Sequence, residues 1–225
     1  MTNSIHLTMQ DEAIHKLCQA DPRMGMLIQL VGDVSVQLWS DPFHSLAMSI
    51  IGQQLSAKAA NTIKSRVKLL APEFTPELVR QIDVELFRQA GVSYAKISYI
   101  HDLCDKIIAE DVSFAALDEL DQDELVKHLT RIKGIGKWTA EMFLIFSLGK
   151  PDVLSLGDAG LQRAARWLHE LEELKDGNYL GQVSPLWSPY RSYASLYLWE
   201  AIDLGFVDSG LTLEQCVENK TQEPS

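Results

Sequence analysis

The side chains best suited to chemistry lie between Leu129 and Asp158, in the stretch LTRIKGIGKWTAEMFLIFSLGKPDVLSLGD. Glycines on either side of Ile135 give the backbone freedom for a tight turn, and they leave N–H groups uncovered where a helix opens at Lys137. A terminus of that kind seats an anion. Downstream, a lone carboxylate, Asp158, follows Gly157 at the start of another helix. As an N-cap it contributes about 1 kcal/mol. As an ionised group near a reacting bond it can stabilise developing positive charge and orient or deprotonate a water. A helix N-terminus favours negative charge, so the two roles are compatible.

Other chemistries find little support. The six histidines are scattered, and no set of His, Cys and carboxylate residues has metal-ligand spacing. Nucleophilic Ser/His/Asp and Cys/His arrangements have no signature, and no GxxxxGKS or GxxxxGKT loop is present to cradle a nucleotide. Cys18, Cys104 and Cys216 are far apart and odd in number, which predicts reduced thiols rather than a disulfide framework.

The elements that must hold these residues read as helices. Leu46, Ile50 and Ile51 precede Gly52; Ala59, Ile63, Val67 and Leu70 repeat at helical spacing, as do Leu125, Leu129 and Ile132, and then Leu161, Ala165, Leu168 and Leu171. Strand alternation is scarce. Thr75-Pro76-Glu77 and Ser184-Pro185 predict helix starts, and Gly52, Gly149 and Gly177 predict helix ends. The expected fold class is all-α.

A chain of 225 residues can bury a sizeable core as one domain or two small lobes. Its N-terminus has no basic segment followed by an apolar run, and no stretch approaches transmembrane length, so a cytoplasmic or nucleoid-associated protein without a membrane partner is expected. A net charge of -11 argues against nucleic acid at first sight. Its distribution argues otherwise. Pro42 to Pro72 contains Lys58, Lys64, Arg66 and Lys68 and no acid, and Leu125 to Ala140 contains Lys127, Arg131, Lys133 and Lys137 and no acid. Either window alone reads as a solvated helix face. The acids crowd into 118–124, 170–176 and the tail after Asp203.

Three segments in order, PFHSLAMSIIGQQLS, IKGIGKWTAEMF through GDAGL, and SPYRSYASLYLW, give the chain its resemblance to the helix-hairpin-helix base-excision DNA glycosylases. It is most similar to the alkylpurine branch, the 3-methyladenine DNA glycosylase II type, from about Pro42 to Ile202. The resemblance implies two helical lobes with a DNA-binding cleft and the hairpin at the cleft mouth. The central lobe would span 42–149, and 1–41 plus 150–225 would form the second. Both basic windows fall in segments that face DNA in that family.

The resemblance also implies roles. Asp158 is the catalytic carboxylate. Trp138 stands where relatives that also cleave the backbone carry a Schiff-base lysine, and Lys137 points about 100° away around the helix, a poor substitute. A monofunctional enzyme is implied. Trp138 either stacks on the base or packs in the core. Tyr190, Met142 and His44 are the other base-pocket candidates, His44 having a purely structural role as its alternative. Gln54, with Leu55 beside it, is the wedge that fills the gap left by a flipped nucleotide, unless the segment is an ordinary interhelical turn. Gly134, Gly136, Lys133 and Lys137 contact the DNA backbone, Lys133 replacing a proline usual in this loop. No cofactor is required, though hairpin carbonyls of Thr130, Ile132 and Ile135 are places for a structural cation such as Na or K. The four-cysteine loop that holds an iron–sulfur cluster in some relatives is absent. The expected partner is double-stranded DNA containing alkylated bases, bound by a monomer. A non-catalytic helix-hairpin-helix module for bent or damaged DNA is the alternative. Tyr193, Tyr197 and Trp199 are expected in the core; Trp39 and Trp187 receive no role.

Overall fold

The computed structural model describes residues 4–71, 73–114, 122–173 and 176–222. Along the chain these form β1 (Ser4–Leu7), α1 (Glu12–Ala20), α2 (Pro22–Val31), β2 (Val34–Gln37), α3 (Pro42–Gly52), α4 (Ala57–Lys68), α5 (Pro76–Gln81), α6 (Val84–Ala90), α7 (Tyr94–Ile108), α8 (Gln122–Leu129), α9 (Lys137–Phe146), α10 (Ala159–His169), α11 (Tyr179–Val183), α12 (Arg191–Asp203) and α13 (Leu213–Gln222). The chain divides into two compact units. One joins Met1–Leu38 to Leu144–Ser225, and the other is Trp39–Phe143.

In the first unit, α2, α10 and α12 pack together around Met24, Leu27, Leu161, Leu168, Tyr197 and Leu198, all fully buried. Trp187, unassigned from the sequence, is 0% exposed. Its indole N–H donates to Asp21 Oδ2 at 2.7 Å, and the backbone N–H groups of Arg23 and Met24 donate to Asp21 Oδ1 at 3.1 Å each. One carboxylate thus caps α2 and anchors the core tryptophan. Tyr197 is core as expected, whereas Tyr193 and Trp199 are half-buried.

The helical expectation missed one feature. β1 and β2 form an antiparallel ribbon with Leu7 opposite Val34, both buried. Strands of this length carry too few alternations to register as a pattern. Several predicted boundaries also move. Ser184–Trp187 is a 3-10 turn with no side-chain cap. α10 stops at His169, with Glu170 left-handed at φ 49°. Gly177 lies before α11 instead of closing a helix.

The second unit is built on α7, which packs on α3, α5 and α6. Ile97, Ile100, Leu103 and Cys104 seat it, each at most 3% exposed. Thr75 caps α5, as its sequence position predicts, and Ser56 caps α4.

Candidate nucleic-acid and catalytic site

The hairpin of the second unit forms where expected. Leu129 ends α8, Lys137 opens α9, and the turn is closed by Ile135 N–H donating to Ile132 O at 3.1 Å. The two glycines do different work. Gly134 is left-handed at φ 80°, and a Cβ there would meet the Tyr99 ring at 2.2 Å. Gly136 has no positive φ and open space around its Cα. Its lack of a side chain keeps the approach to the N-terminus of α9 clear.

Long-range contacts hold this turn. Lys133 N–H donates to Asp102 Oδ2 at 2.8 Å, a bond that a proline at this position could not make. Asp102 Oδ1 lies 3.6 Å from both Lys133 Nζ and Lys106 Nζ. Gln53 Nε2 donates to Gly134 O at 2.8 Å, so the structure brings the tip after α3 directly to the hairpin. Lys96 completes the arrangement, its ammonium donating to Ile51 O at 2.8 Å and Gln53 O at 2.7 Å. Burial lowers the Lys96 pKa below its ordinary value.

Gly52 is the last residue of α3, as the sequence predicts. Two residues on, Gln54 is left-handed at φ 57°, exposed and next to Leu55, which is also exposed. A glutamine in this region costs about 1–2 kcal/mol. A Cβ on Gly52 would come within 3.2 Å of Lys64 Nζ, the mobile end of a long side chain. Lys64 therefore folds over the end of α3, and burial, then Lys68, lowers its pKa. It leaves the predicted basic face; Lys58, Arg66 and Lys68 remain exposed, as do Lys127, Arg131, Lys133 and Lys137.

Trp138 is 49% exposed and so is not a core residue. Lys137 Nζ lies 3.8 Å from Glu141 Oε1, and Met142 is half-buried. His44 sits among aromatics, 5.8 Å from Trp39 and 5.4 Å from Phe74 between ring centroids. Burial, then Lys68, lowers its pKa and favours neutral imidazole. Thr130 is exposed, while Ile132 and Ile135 are buried.

In the first unit Asp158 is the N-cap of α10, with Oδ1 accepting from Leu161 N–H at 2.8 Å. It is half-buried. Gly160 leaves room for the carboxylate, since a Cβ there would come within 3.2 Å of Oδ1. The preceding loop is tied to α12. Ser192 Oγ accepts from Val153 N–H at 2.8 Å and donates to Lys150 O at 2.7 Å. Arg191 grips Asp152 through Nε at 2.8 Å and Nη2 at 2.9 Å. Tyr190 precedes this grip, stacked on Tyr193 at 5.9 Å with Lys16 Nζ 6.0 Å from its ring centroid.

Gln53, Lys96, Tyr99, Asp102, Asp152, Arg191 and Ser192 escaped the sequence reading. Lys96, Tyr99 and Asp102 fall at intervals of three along α7, but Ser98, His101, Asp105 and Lys106 on the same helix hide that spacing. Among the described residues no group of three or more His, Cys, Asp or Glu side chains could hold a metal ion. Burial pushes the Cys104 thiol up to about 12, which makes it a poor nucleophile. No helix among them is long and apolar enough to cross a membrane.

A family model described as HhH-GPD superfamily base excision DNA repair protein matches residues 47–184. DNA-3-methyladenine glycosylase 1 of Schizosaccharomyces pombe is 34% identical over 192 residues, covering 82% of this chain and 84% of that protein. The crystal structure of DNA-3-methyladenine glycosidase from Bacillus halodurans matches with a TM-score of 0.87 at 38% identity, over 95% of this chain and 99% of that one. The S. pombe 3-methyladenine DNA glycosylase in complex with abasic DNA matches with a TM-score of 0.76 at 32% identity, over 86% of this chain and 97% of that one.

Proposed function

The chain belongs to the HhH-GPD superfamily of base excision DNA repair proteins, and from that premise we propose a monofunctional DNA glycosylase acting on alkylated purines. It flips 3-methyladenine or 7-methylguanine out of duplex DNA and hydrolyses the N-glycosidic bond, leaving an abasic site. The observation that carries this reading is Asp158, a half-buried carboxylate fixed by the N–H of Leu161 and given room by Gly160. The names of the similar proteins, DNA-3-methyladenine glycosylase and glycosidase, support the substrate class.

A purine methylated on a ring nitrogen is already cationic, so it departs without being protonated. The sugar gains oxocarbenium character as the base leaves. An anion beside C1′ stabilises that charge and orients the attacking water. Asp158 has this role in the proposal. Trp138 stacks on the flipped base, a cation over an indole gaining about 0.5–2 kcal/mol. With tryptophan rather than lysine at this place, and with Lys137 beside Glu141, no amine is assigned to form a Schiff base with the sugar. Gln54 and Leu55 fill the vacated stack. The hairpin N–H groups at Gly134 and Gly136, with Lys133 and Lys137, take a DNA phosphate and set register without reading sequence. A monovalent cation on the carbonyls of Thr130, Ile132 and Ile135 is compatible with their chemistry. Ile132 O already accepts one N–H and keeps one lone pair for it.

Release of free methylated bases from alkylated duplex DNA, followed by chromatography, tests the proposal. Asp158→Asn keeps binding to abasic-site duplex and loses about 10²–10³-fold in release rate. Full activity in that variant discards the mechanism. A wild-type protein that binds DNA and releases no base returns the chain to a non-catalytic binding module.

A further inference from the structure

Lys96, Tyr99 and Asp102 lie at successive intervals of three on α7, so they form one stripe spanning about 9 Å of helix axis. Each engages a different part of the DNA-facing apparatus assigned above. At one end, the Lys96 ammonium takes the carbonyls of Ile51 and Gln53 at 2.8 and 2.7 Å, the orphan acceptors left where α3 stops. In the middle, the Tyr99 ring lies where a Cβ on Gly134 would be. At the far end, Asp102 holds Lys133 N–H at 2.8 Å. Gln53 closes the circuit, since its own carbonyl is held by Lys96 while its amide donates to Gly134 O.

We infer that α7 is a spacer that sets the separation between the wedge tip and the hairpin, with Lys96 and Asp102 as positioning residues for nucleotide flipping. The inference rests on the roles proposed for Gln54 and the hairpin. A wedge must enter the base stack at a fixed distance from the phosphate that the hairpin grips, so an error in that spacing costs flipping even when both parts are intact. Gln54 is held at φ 57°, a left-handed conformation that glutamine does not favour on its own. With Lys96 removed, the residue before it loses its anchor and the tip relaxes toward ordinary backbone. Asp102 matters to this chain because residue 133 is not proline and therefore has an N–H to hold.

The test uses the full chain and a duplex carrying 2-aminopurine next to a tetrahydrofuran abasic-site analogue, whose fluorescence reports wedge insertion without bond cleavage. Lys96→Met lowers the signal at saturating protein by about threefold or more. Its affinity for undamaged duplex stays within about twofold of wild type. Lys96→Arg restores the signal. Asp102→Ala shows the complementary pattern, weakening affinity for both duplexes about three- to tenfold, with recovery in Asp102→Asn, which keeps an acceptor. Wild-type amplitude in Lys96→Met overturns the inference, and so does failure of Lys96→Arg to restore it at an unchanged thermal midpoint. Should Lys96→Met not fold, Gln53→Leu decides, loss of amplitude supporting the spacer and wild-type amplitude refuting it. A wild-type protein that gives the signal yet releases no methylated base refutes the glycosylase reading alone. One that gives no signal refutes the spacer.

Discussion

Asp158 and Gln54 are both polar residues at the end of a helix, and they are fixed by different means. Asp158 is held by the N–H of Leu161, three residues away, and by the absence of a side chain at Gly160. Gln54 follows a residue whose carbonyl is held by Lys96 from 43 positions away, and whose amide reaches 81 positions to Gly134. In the proposed mechanism, a carboxylate that must sit at one place for a bond-breaking step gains from a short, stiff mount. A wedge that must agree with a distant hairpin, the role proposed for Gln54, needs mounts that connect the two. The first arrangement depends on neighbouring residues alone, and the second on ties between segments far apart in the chain.

Separating the cap from the chemistry breaks this comparison most severely. Asn is as good an N-cap as Asp, so Asp158→Asn keeps the mount and removes the charge, whereas Asp158→Ala removes both. Both variants lose about 10²–10³-fold in base release. Only the alanine variant also loses stability, by about 1 kcal/mol in a denaturant titration. Equal stability in the two would mean that the cap does not hold Asp158.

Asp21→Asn asks whether the first unit as a whole is as stiff as the mount of Asp158. Asp21 is 2% exposed and accepts from Trp187, Arg23 and Met24, with His169 Nε2 at 3.0 Å from Oδ2. Burial raises its pKa, but the bonds from His169, Trp187 and Met24 outweigh that and leave it lowered. An amide presents an NH2 group where only acceptors fit. The expected cost is about 2–4 kcal/mol, measured by urea unfolding, with wedge insertion by the folded fraction unchanged.

The pH dependence of the first unit sharpens the comparison further. Burial raises the Asp152 pKa, but the Arg191 guanidinium and backbone N–H outweigh it, so the folded value lies below the usual carboxylate range. A group depressed in the folded state contributes stability above its unfolded pKa, and that contribution is lost as pH falls through the folded value. The loop before Asp158 should therefore loosen in acid, below the ordinary carboxylate range. Asp152→Asn costs about 1–2 kcal/mol at neutral pH and flattens the acid limb of stability. An unchanged acid limb would show that the Arg191 grip does not hold the loop.

The contrast also explains what could be read from the sequence. The hairpin and the Asp158 cap were legible because each is local, a turn or a cap set by neighbouring residues. The helical class followed from periodicity at positions such as Leu161, Ala165 and Leu168, which are buried as a stripe requires. Gln53, Lys96 and Asp102 were invisible because their contacts join segments far apart in the chain, and nothing in QQLS or YAKISYIHD marks the partner. Trp187 was unplaced for the same reason, its anchor being Asp21, 166 residues away. Gly52 marked the end of α3 correctly, whereas nothing in the sequence marked Gln54 as the left-handed residue beyond it.

Gln54→Gly has the smallest expected effect on stability. Glycine removes the left-handed penalty of about 1–2 kcal/mol and gives back about 0.5–1 kcal/mol through the greater freedom of the unfolded chain. The side chain it removes is exposed, so little burial is lost with it. The variant should unfold within about 1 kcal/mol of wild type, on the stable side, while wedge insertion measured by 2-aminopurine falls as it does in Lys96→Met. Loss of insertion without loss of stability is expected where the side chain serves function, since glycine keeps the left-handed backbone. If Gln54→Gly is instead destabilised and still inserts, the Gln54 side chain serves the stability of the turn between α3 and α4, and it is not the wedge.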